Sequence, residues 1–334
     1  MANIIVIGAS AGGIDPLRKI VRPLPADLQA AIFIVMHLSP LAPSVLPEIL
    51  QRETSLEVSA AEDGDVVKPG RVYVAPPDRH MLVEPGKVRL TRGPKENRHR
   101  PAIDVLFRTA ARAYGPRVAG VVLTGLLGDG AAGIHVIKSE GGIAIVQDPQ
   151  DAAYRSMPEK ALRTGVVDLV LRASAVPAKI IDLAREPWKD KEDSRAKEVA
   201  QEIPSPEDEK MREEQDERLA GNPSQFTCPD CNGTLWEIQD GGMLRFRCRV
   251  GHAFSDDGMR AGYSESVEAA LWSAVRSLEE SAALEDRLAG LAEERGDHLS
   301  AGNFRDVARD REEQAGIVRA MLLSKNRSTE TVVP

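Results

Sequence analysis

The chain has 334 residues, 42% hydrophobic, 28% charged and 4% aromatic, a composition that builds a core but offers few rings on which single-stranded bases could stack. A formal net charge of -8 speaks against a wholly basic nucleic-acid binder. No apolar run reaches the roughly 18 to 20 residues of a membrane span, and Met1-Ala2-Asn3 leads into an apolar run without a basic signal region, so the chain reads as cytoplasmic and not membrane-embedded. In chain order, near-continuous apolar runs at residues 4–7, 31–36, 118–123 and 142–146 predict strands buried on both faces of a parallel sheet. Amphipathic stretches at 15–21, 44–52, 103–114 and 130–139 predict helices between them. A strand at 71–75 and a hairpin of 80–84 with 87–91, joined at Pro85-Gly86, read as inserted into that scheme, and a run at 166–171 and a helix at 178–185 complete it. The expected fold of residues 1–185 is α/β, a doubly wound, mostly parallel sheet.

Such a sheet collects its chemistry beyond the carboxyl ends of its strands. Gly8-Ala9-Ser10-Ala11-Gly12-Gly13 follows the first strand, His37 the second, and Thr124-Gly125-Leu126-Leu127-Gly128-Asp129-Gly130 the run at 118–123. A serine, a histidine and an aspartate are thus delivered to one edge. Gly8-x-Ser10-x-Gly12 has the small neighbours of a nucleophile turn. His37 suits the base that takes the Ser10 proton, Asp129 the group that holds the other ring nitrogen, and the backbone N–H groups of Ala11 and Leu126 the donors to an oxyanion. Other readings use the same residues: a glycine-rich turn also cradles phosphate, His37 suits a buried histidine, and Asp129 suits the N-cap of the following helix. The spacing lacks G-x-G-x-x-G, and Met36-His37 stands where a ribose-binding acid belongs, which weakens the dinucleotide reading.

Charge divides the rest. Residues 1–185 hold 23 Lys/Arg and 19 Asp/Glu, residues 186–220 hold 7 and 13, and residues 221–334 hold 13 and 19. The middle stretch has almost no apolar periodicity and reads as an acidic, flexible linker. Behind it, Cys228-x2-Cys231-x16-Cys248-x3-His252 has the paired spacing of a structural Zn²⁺ site in a zinc ribbon over 221–262, with a two-stranded hairpin around Asp240-Gly241-Gly242. Arg245, Arg247 and Arg249 alternate on its second strand, but the acidic balance favours a protein-binding or structural ribbon over a nucleic-acid one. Residues 263–325 read as an α-helical hairpin with stripes at Val267, Leu271, Ala274, Leu278, Leu284, Leu288 and Leu291, then Phe304, Val307, Ile317 and Met321. Such helices pack on themselves, self-associate or receive a protein partner, and residues 326–334 are expected to form a disordered tail.

The front segment resembles the catalytic domain of CheB-type protein-glutamate methylesterases of bacterial chemotaxis over about residues 3–183. The blocks are Gly8-Ala9-Ser10-Ala11-Gly12-Gly13, His37, Ala61-Glu62-Asp63-Gly64, Val74-Ala75-Pro76, Asn97-Arg98-His99-Arg100-Pro101, Asp104-Val105-Leu106-Phe107, Leu123-Thr124-Gly125, Asp129-Gly130-Ala131-Ala132-Gly133 and Met157-Pro158. The resemblance implies Ser10 as nucleophile, His37 as general base and acid, and Asp129 as its orienting partner. It implies hydrolysis of γ-glutamyl methyl esters on cytoplasmic helices of chemoreceptor-like proteins, with methanol released, no cofactor for the ester chemistry, and glutamine deamidation in some members. Ala11, Leu126 and Gly128 stand where the family pattern has threonine, methionine and asparagine. A receiver domain usually precedes this one in the family, so the sequence reads as a stand-alone form. A weakly active or inactive signalling scaffold is the alternative. Arg89, Arg92, Lys95, Arg98 and Arg100 form a basic cluster suited to an acidic protein substrate or to plain solvation.

Overall fold

The computed structural model describes residues 3–37, 44–185, 221–240 and 243–329. The predicted linker at 186–220 and the turn glycines Gly241 and Gly242 lie outside the described residues. The chain lays down β1 (Ile4–Ala9), α1 (Ile14–Val21), β2 (Ala31–Met36), α2 (Leu46–Gln51), β3 (Glu57–Ala60), β4 (Arg71–Val74), the hairpin β5 (His80–Glu84) and β6 (Lys87–Thr91), α3 (Ile103–Tyr114), β7 (Val118–Val122), α4 (Ala131–Ser139), β8 (Ile143–Gln147), α5 (Ser156–Arg163), β9 (Leu169–Leu171) and α6 (Val176–Leu183).

Seven of these strands form one parallel sheet in the order β3-β4-β2-β1-β7-β8-β9. Successive residues of β1 point to opposite faces. Ile5, Ile7 and Ala9 pack with Leu17, Ile20, Leu50 and Ile180 from α1, α2 and α6. Ile4 and Val6 pack on the other face with Ile103, Phe107, Ile134 and Ile137 from α3 and α4. This two-sided burial is why the strands read as continuous apolar runs. The strand read at 71–75 is not an insertion: β4 lies inside the sheet, between β3 and β2. β3 escaped the sequence reading because Glu57-Val58-Ser59-Ala60 contributes a single buried side chain, Val58. The chain order reverses between β1 and β7, and the crevice at their carboxyl ends is where such a fold binds its ligands.

The rear strands β10 (Gly221–Thr227), β11 (Thr234–Asp240), β12 (Met243–Cys248) and β13 (Ala253–Ser255) form an antiparallel sheet in chain order, two strands more than the predicted hairpin. Two long helices follow, α7 (Asp256–Glu294) and α8 (His298–Thr329), and residues 330–334 of the predicted tail lie outside the described residues. Residues 1–259 make one compact unit and residues 260–334 a second.

In the second unit the helices run antiparallel, as the ion pairs Glu279–Arg319 and Glu293–Arg305 require. Their seam differs from the predicted stripes. Val275, Ala282 and Ala289 are buried on one helix, and Ala301, Ala308, Ala315 and Leu322 on the other, each seven residues from the next. Val267, Leu284, Leu291, Val307, Ile317 and Met321 are exposed instead. Small side chains let two helix backbones approach closely, and that approach buries alanine ahead of leucine. No described helix is long and apolar enough to cross a membrane.

The contact of α3 with α4 brings two stretches of the crevice together, and it depends on Gly133. A Cβ at that position would stand 2.5 Å from Phe107 Cβ. Gly133→Ala is therefore expected to destabilise the first unit by about 1 to 3 kcal/mol, read as a lower urea midpoint.

Candidate active site

Three strand ends are tied together by backbone hydrogen bonds. Ser10 N–H donates to Thr124 O at 3.0 Å, Leu123 N–H to Gly8 O at 2.9 Å, and His37 N–H to Ala9 O at 3.1 Å. The parallel sheet thus brings Ser10, His37 and the 124–130 loop to one rim. Gly125 closes the approach: a Cβ there would stand 2.1 Å from Met157 Sδ and 2.8 Å from Ser10 Cβ. Thr124, fully buried, donates its hydroxyl to Ala11 O at 3.1 Å and accepts Tyr154 N–H at 2.8 Å, bracing the serine turn.

The three predicted side chains meet. His37 Nδ1 lies 3.1 Å from Ser10 Oγ, and His37 Nε2 lies 2.8 Å from Asp129 Oδ2. An ionised carboxylate only accepts, so Nε2 carries the proton toward Asp129 and Nδ1 is left to accept from the serine hydroxyl. The ring nitrogens exchange the places they hold in serine proteases, where Nε2 faces the serine. Ala11 and Leu126 flank Ser10 on the two loops, and neither N–H is paired with a described acceptor.

Asp129 is nearly inaccessible, at 1% exposure. Oδ2 also accepts Ile103 N–H at 2.7 Å, and Oδ1 accepts from Asp104 N at 3.1 Å, Asn97 Nδ2 at 2.9 Å and Gly130 N at 3.1 Å. Burial alone would raise this carboxyl, but the bond and charge of His37, the nearby His99 and the Ile103 N–H outweigh it and hold Asp129 below the usual carboxylate range. The N-cap reading of Asp129 is correct in kind and wrong in address. Asp129 caps α3, whereas Gly130 and Gly133 at the start of α4 donate to Asp104 Oδ1 at 3.0 and 2.7 Å.

Sequence reasoning gave no role to Asp104, Asn97 or His99, although all three stood in the resemblance blocks. Asp104 is buried, and burial together with the charge of Asp129 pushes its carboxyl up to about 7. Asn97 donates Nδ2 to Asp104 Oδ2 at 2.8 Å as well as to Asp129. His99 stacks on His37 with ring centroids 3.6 Å apart and planes 10° from parallel. Burial, and then the neighbouring His37, bring His99 down to about 4, so a neutral ring covers the candidate base. No spacing rule connects these residues to Asp129: the packing of α3 against α4 brings Asp104 there, and the loop ahead of α3 brings Asn97 and His99.

The predicted basic cluster is partly neutralised. Arg100 donates to Asp78 Oδ1 at 2.9 Å through Nε, Arg92 pairs with Asp78 Oδ2 at 3.3 Å, and Arg89 pairs with Glu84 Oε1 at 3.3 Å.

In the rear sheet, the ligand atoms of Cys228, Cys231, Cys248 and His252 all lie within 4.8 Å of one another. Cys231 Sγ is 3.7 Å from Cys248 Sγ, and His252 Nδ1 is 3.7 Å from Cys228 Sγ and 3.6 Å from Cys248 Sγ. Tetrahedral Zn²⁺, with Zn–S of about 2.3 Å and Zn–N of about 2.0 to 2.1 Å, requires edges of about 3.8 Å between sulfurs and about 3.6 Å from sulfur to nitrogen. The four residues fit that ion.

The sequence profile of the family described as CheB methylesterase matches residues 5–180. A Methanosarcina mazei protein named protein-glutamate methylesterase/protein-glutamine glutaminase 2 is 38% identical over 191 residues, covering 55% of this chain and 52% of that protein. A Leptospira interrogans protein, named a putative enzyme of the same kind, is 40% identical over 180 residues, covering 54% of this chain and 93% of its own length. The chain thus spans about half the length of the first relative and nearly all of the second. The crystal structure of the Thermotoga maritima CheB methylesterase catalytic domain superposes with a TM-score of 0.53 at 37% identity, covering 55% of this chain and 99% of that one. The chain belongs to the CheB methylesterase family.

Proposed function

We propose that residues 1–185 form a serine esterase that removes methyl groups from glutamate side chains on the cytoplasmic helices of chemoreceptor-like proteins, with Ser10, His37 and Asp129 as its triad. The observation that carries the reading is the hydrogen-bonded line from Ser10 Oγ through the His37 ring to Asp129 Oδ2, at 3.1 and 2.8 Å. The substrate class rests on the family and on the names its relatives carry.

In this reading Ser10 Oγ attacks the ester carbonyl carbon as its proton passes to His37 Nδ1. Asp129 stabilises the imidazolium through Nε2–H. The tetrahedral oxyanion faces the N–H groups of Ala11 and Leu126, donors fixed before the charge develops. Collapse expels the methoxy oxygen, which takes the Nδ1 proton and leaves as methanol. Water then attacks the acyl-serine with the same proton path, regenerating Ser10 and releasing the glutamate side chain. With a glutamine amide in place of the ester, the leaving group is ammonia. The buried aspartates divide their labour: Asp129 keeps its charge beside the imidazole, and Asp104 holds the proton that two adjacent carboxylates cannot both release.

We infer further that Cys228, Cys231, Cys248 and His252 hold a structural Zn²⁺ that closes a ribbon over residues 221–262, and that the helical hairpin of 263–325 serves contacts with protein. Trp272, Leu284, Ile317 and Met321, all exposed, support the second point.

Ser10→Ala should lower methanol release from methylated receptor membranes by about a thousandfold or more, and release equal to wild type would refute the assignment. The purified chain should hold about one zinc ion, measured by elemental analysis, and Cys248→Ser should lose it. Folded Asp104 binds its proton more tightly than an unfolded aspartate, which titrates near about 3.9. Its contribution to stability is complete below that value and is lost as pH rises through about 7. Between about pH 5 and about pH 8 the urea midpoint of wild type should therefore fall relative to Asp104→Asn, which has no proton to release; parallel profiles would contradict the assignment.

A further inference from the structure

The Cys/His cluster and the triad are joined by hydrogen bonds that ester hydrolysis does not itself require. His252 is followed at once by β13, an outer strand of the rear sheet. Residues 95–97 lie along that strand like one more: Ala253 N–H donates to Lys95 O at 3.3 Å, and Asn97 N–H to Ala253 O at 2.7 Å. The Asn97 side chain completes the link. Its Oδ1 accepts Ser255 N–H at 2.9 Å, while its Nδ2 donates to Asp129 Oδ1 and Asp104 Oδ2. A backbone N–H can only donate, so Ser255 fixes the carbonyl end of the amide toward the ribbon and the NH₂ end toward the two carboxylates.

Further contacts hold the same junction. Buried Glu96 pairs with Arg108 at 2.8 Å and with Arg245 of β12 at 3.6 Å. Lys160 of α5 pairs with Asp256 at 3.1 Å and Asp257 at 2.8 Å, and its stem runs past Gly128, next to Asp129. His80 pins the base of the loop, bonding Pro94 O at 2.8 Å through Nε2 and Ala102 N at 3.2 Å through Nδ1. Between those anchors, Asn97 and Arg98 take left-handed backbone at φ of 47° and 70°. Residues bearing side chains keep that conformation where their surroundings hold them in it. His99, which covers His37, sits on the same short loop.

We propose that the rear sheet is a metal-dependent positioning element for the triad. With the Cys/His site loaded, β13 holds Asn97 against Asp129 and keeps His99 on His37; with the site empty, the 95–99 loop is released and the chemical step slows. Asn97 is thus a positioning residue, acting through Asp129. The proposal rests on the esterase reading and adds to it control by a zinc-type divalent cation. Where folding of a small sheet requires its metal, every contact that the sheet makes is linked to metal binding.

The test uses the full chain, loaded with Zn²⁺ or Co²⁺ and then stripped by a chelator. Three quantities are read: the cobalt–thiolate absorption for occupancy, the downfield proton resonance of the His37 Nε2–H, and kcat and KM for methanol release. Stripping should lower kcat by about 10- to 100-fold with KM changed less than about threefold, and should shift or broaden the His37 resonance. Ser255→Pro, which deletes the N–H that Asn97 accepts together with the hydroxyl that accepts Gly258 N–H, and Asn97→Ala, which leaves Ser255 intact, should reproduce both effects while keeping the cobalt absorption. An unchanged kcat and resonance on stripping, or in either variant that retains cobalt, overturns the proposal. A fall in kcat with an unchanged resonance also overturns it, because the route through Asn97 and Asp129 is then not taken. If no form releases methanol yet the resonance still follows the metal, the coupling stands and the esterase reading fails.

Discussion

The N-termini of α3 and α4 meet at the crevice, and each is closed by an aspartate from the other's neighbourhood. Asp129, just ahead of α4, accepts the first N–H groups of α3, and Asp104, in the first turn of α3, accepts those of α4. A cap of this kind stabilises by roughly 0.5 to 2 kcal/mol, and the positive ends of both helices face the pair. The exchange forces two carboxyl groups into one buried place. They cannot be equal there. Asp129 also receives His37, and its charge is held; at Asp104, burial and the charge of Asp129 outweigh the favourable charge of Arg245, and it keeps its proton to higher pH. The negative group that orients the imidazole is therefore fixed by helix geometry before any substrate arrives.

That arrangement needs the sheet to deliver the other two side chains at the right height. The ends of β1, β2 and β7 are in step through their pairing, Ala9 beside Met36 and Gly8 beside Val122. One residue further along, Ser10 and His37 stand at the same level. A slip of one residue would turn the side chains of β1 to opposite faces and exchange the two cores. Gly125 lets Met157 and Ser10 close over the 124–130 loop, so the donors proposed for the oxyanion sit on loops braced from both sides. The stacked His99 limits the motion of the His37 ring without competing for its proton.

How much of this the sequence discloses follows from how local each contact is. Ser10, His37 and Asp129 each come soon after a buried run, so the parallel-sheet rule alone places them on one rim. Cys228, Cys231, Cys248 and His252 form two tight local pairs, and their spacing carries the site. Asp104, Asn97 and His99 are different: each matters through a partner 25 to 62 positions away, as with Asp104 and Asp129 or His99 and His37. Along the chain an acidic residue belongs to the helix that follows it, so Asp129 reads as a cap of α4, whereas it accepts the first N–H groups of α3. The long helices mislead in another way. Hydropathy marks leucine and isoleucine, yet close approach favours Ala282, Ala289, Ala301, Ala308 and Ala315 at the seam. The basic cluster overstated the free charge because Asp78 and Glu84, which pair with three of its arginines, are separated from them in sequence.

The loop at 95–99 also explains how a small antiparallel sheet can sit beside this crevice without leaving a bare margin. β13 is an outer strand of three residues, and an uncovered strand edge presents unpaired N–H and C=O groups. The backbone of 95–97 covers it through Ala253, and the Asn97 amide takes the Ser255 N–H that the loop backbone does not reach. The same three bonds therefore satisfy the rear sheet and shape the front loop. Neither element can relax alone: freeing the loop uncovers β13, and moving β13 leaves the Asn97 carbonyl without its donor and the amide free to turn. Because turning the amide would present its oxygen to the Asp129 carboxylate, an acceptor facing an acceptor, the orientation seen here is the one that both halves of the junction require.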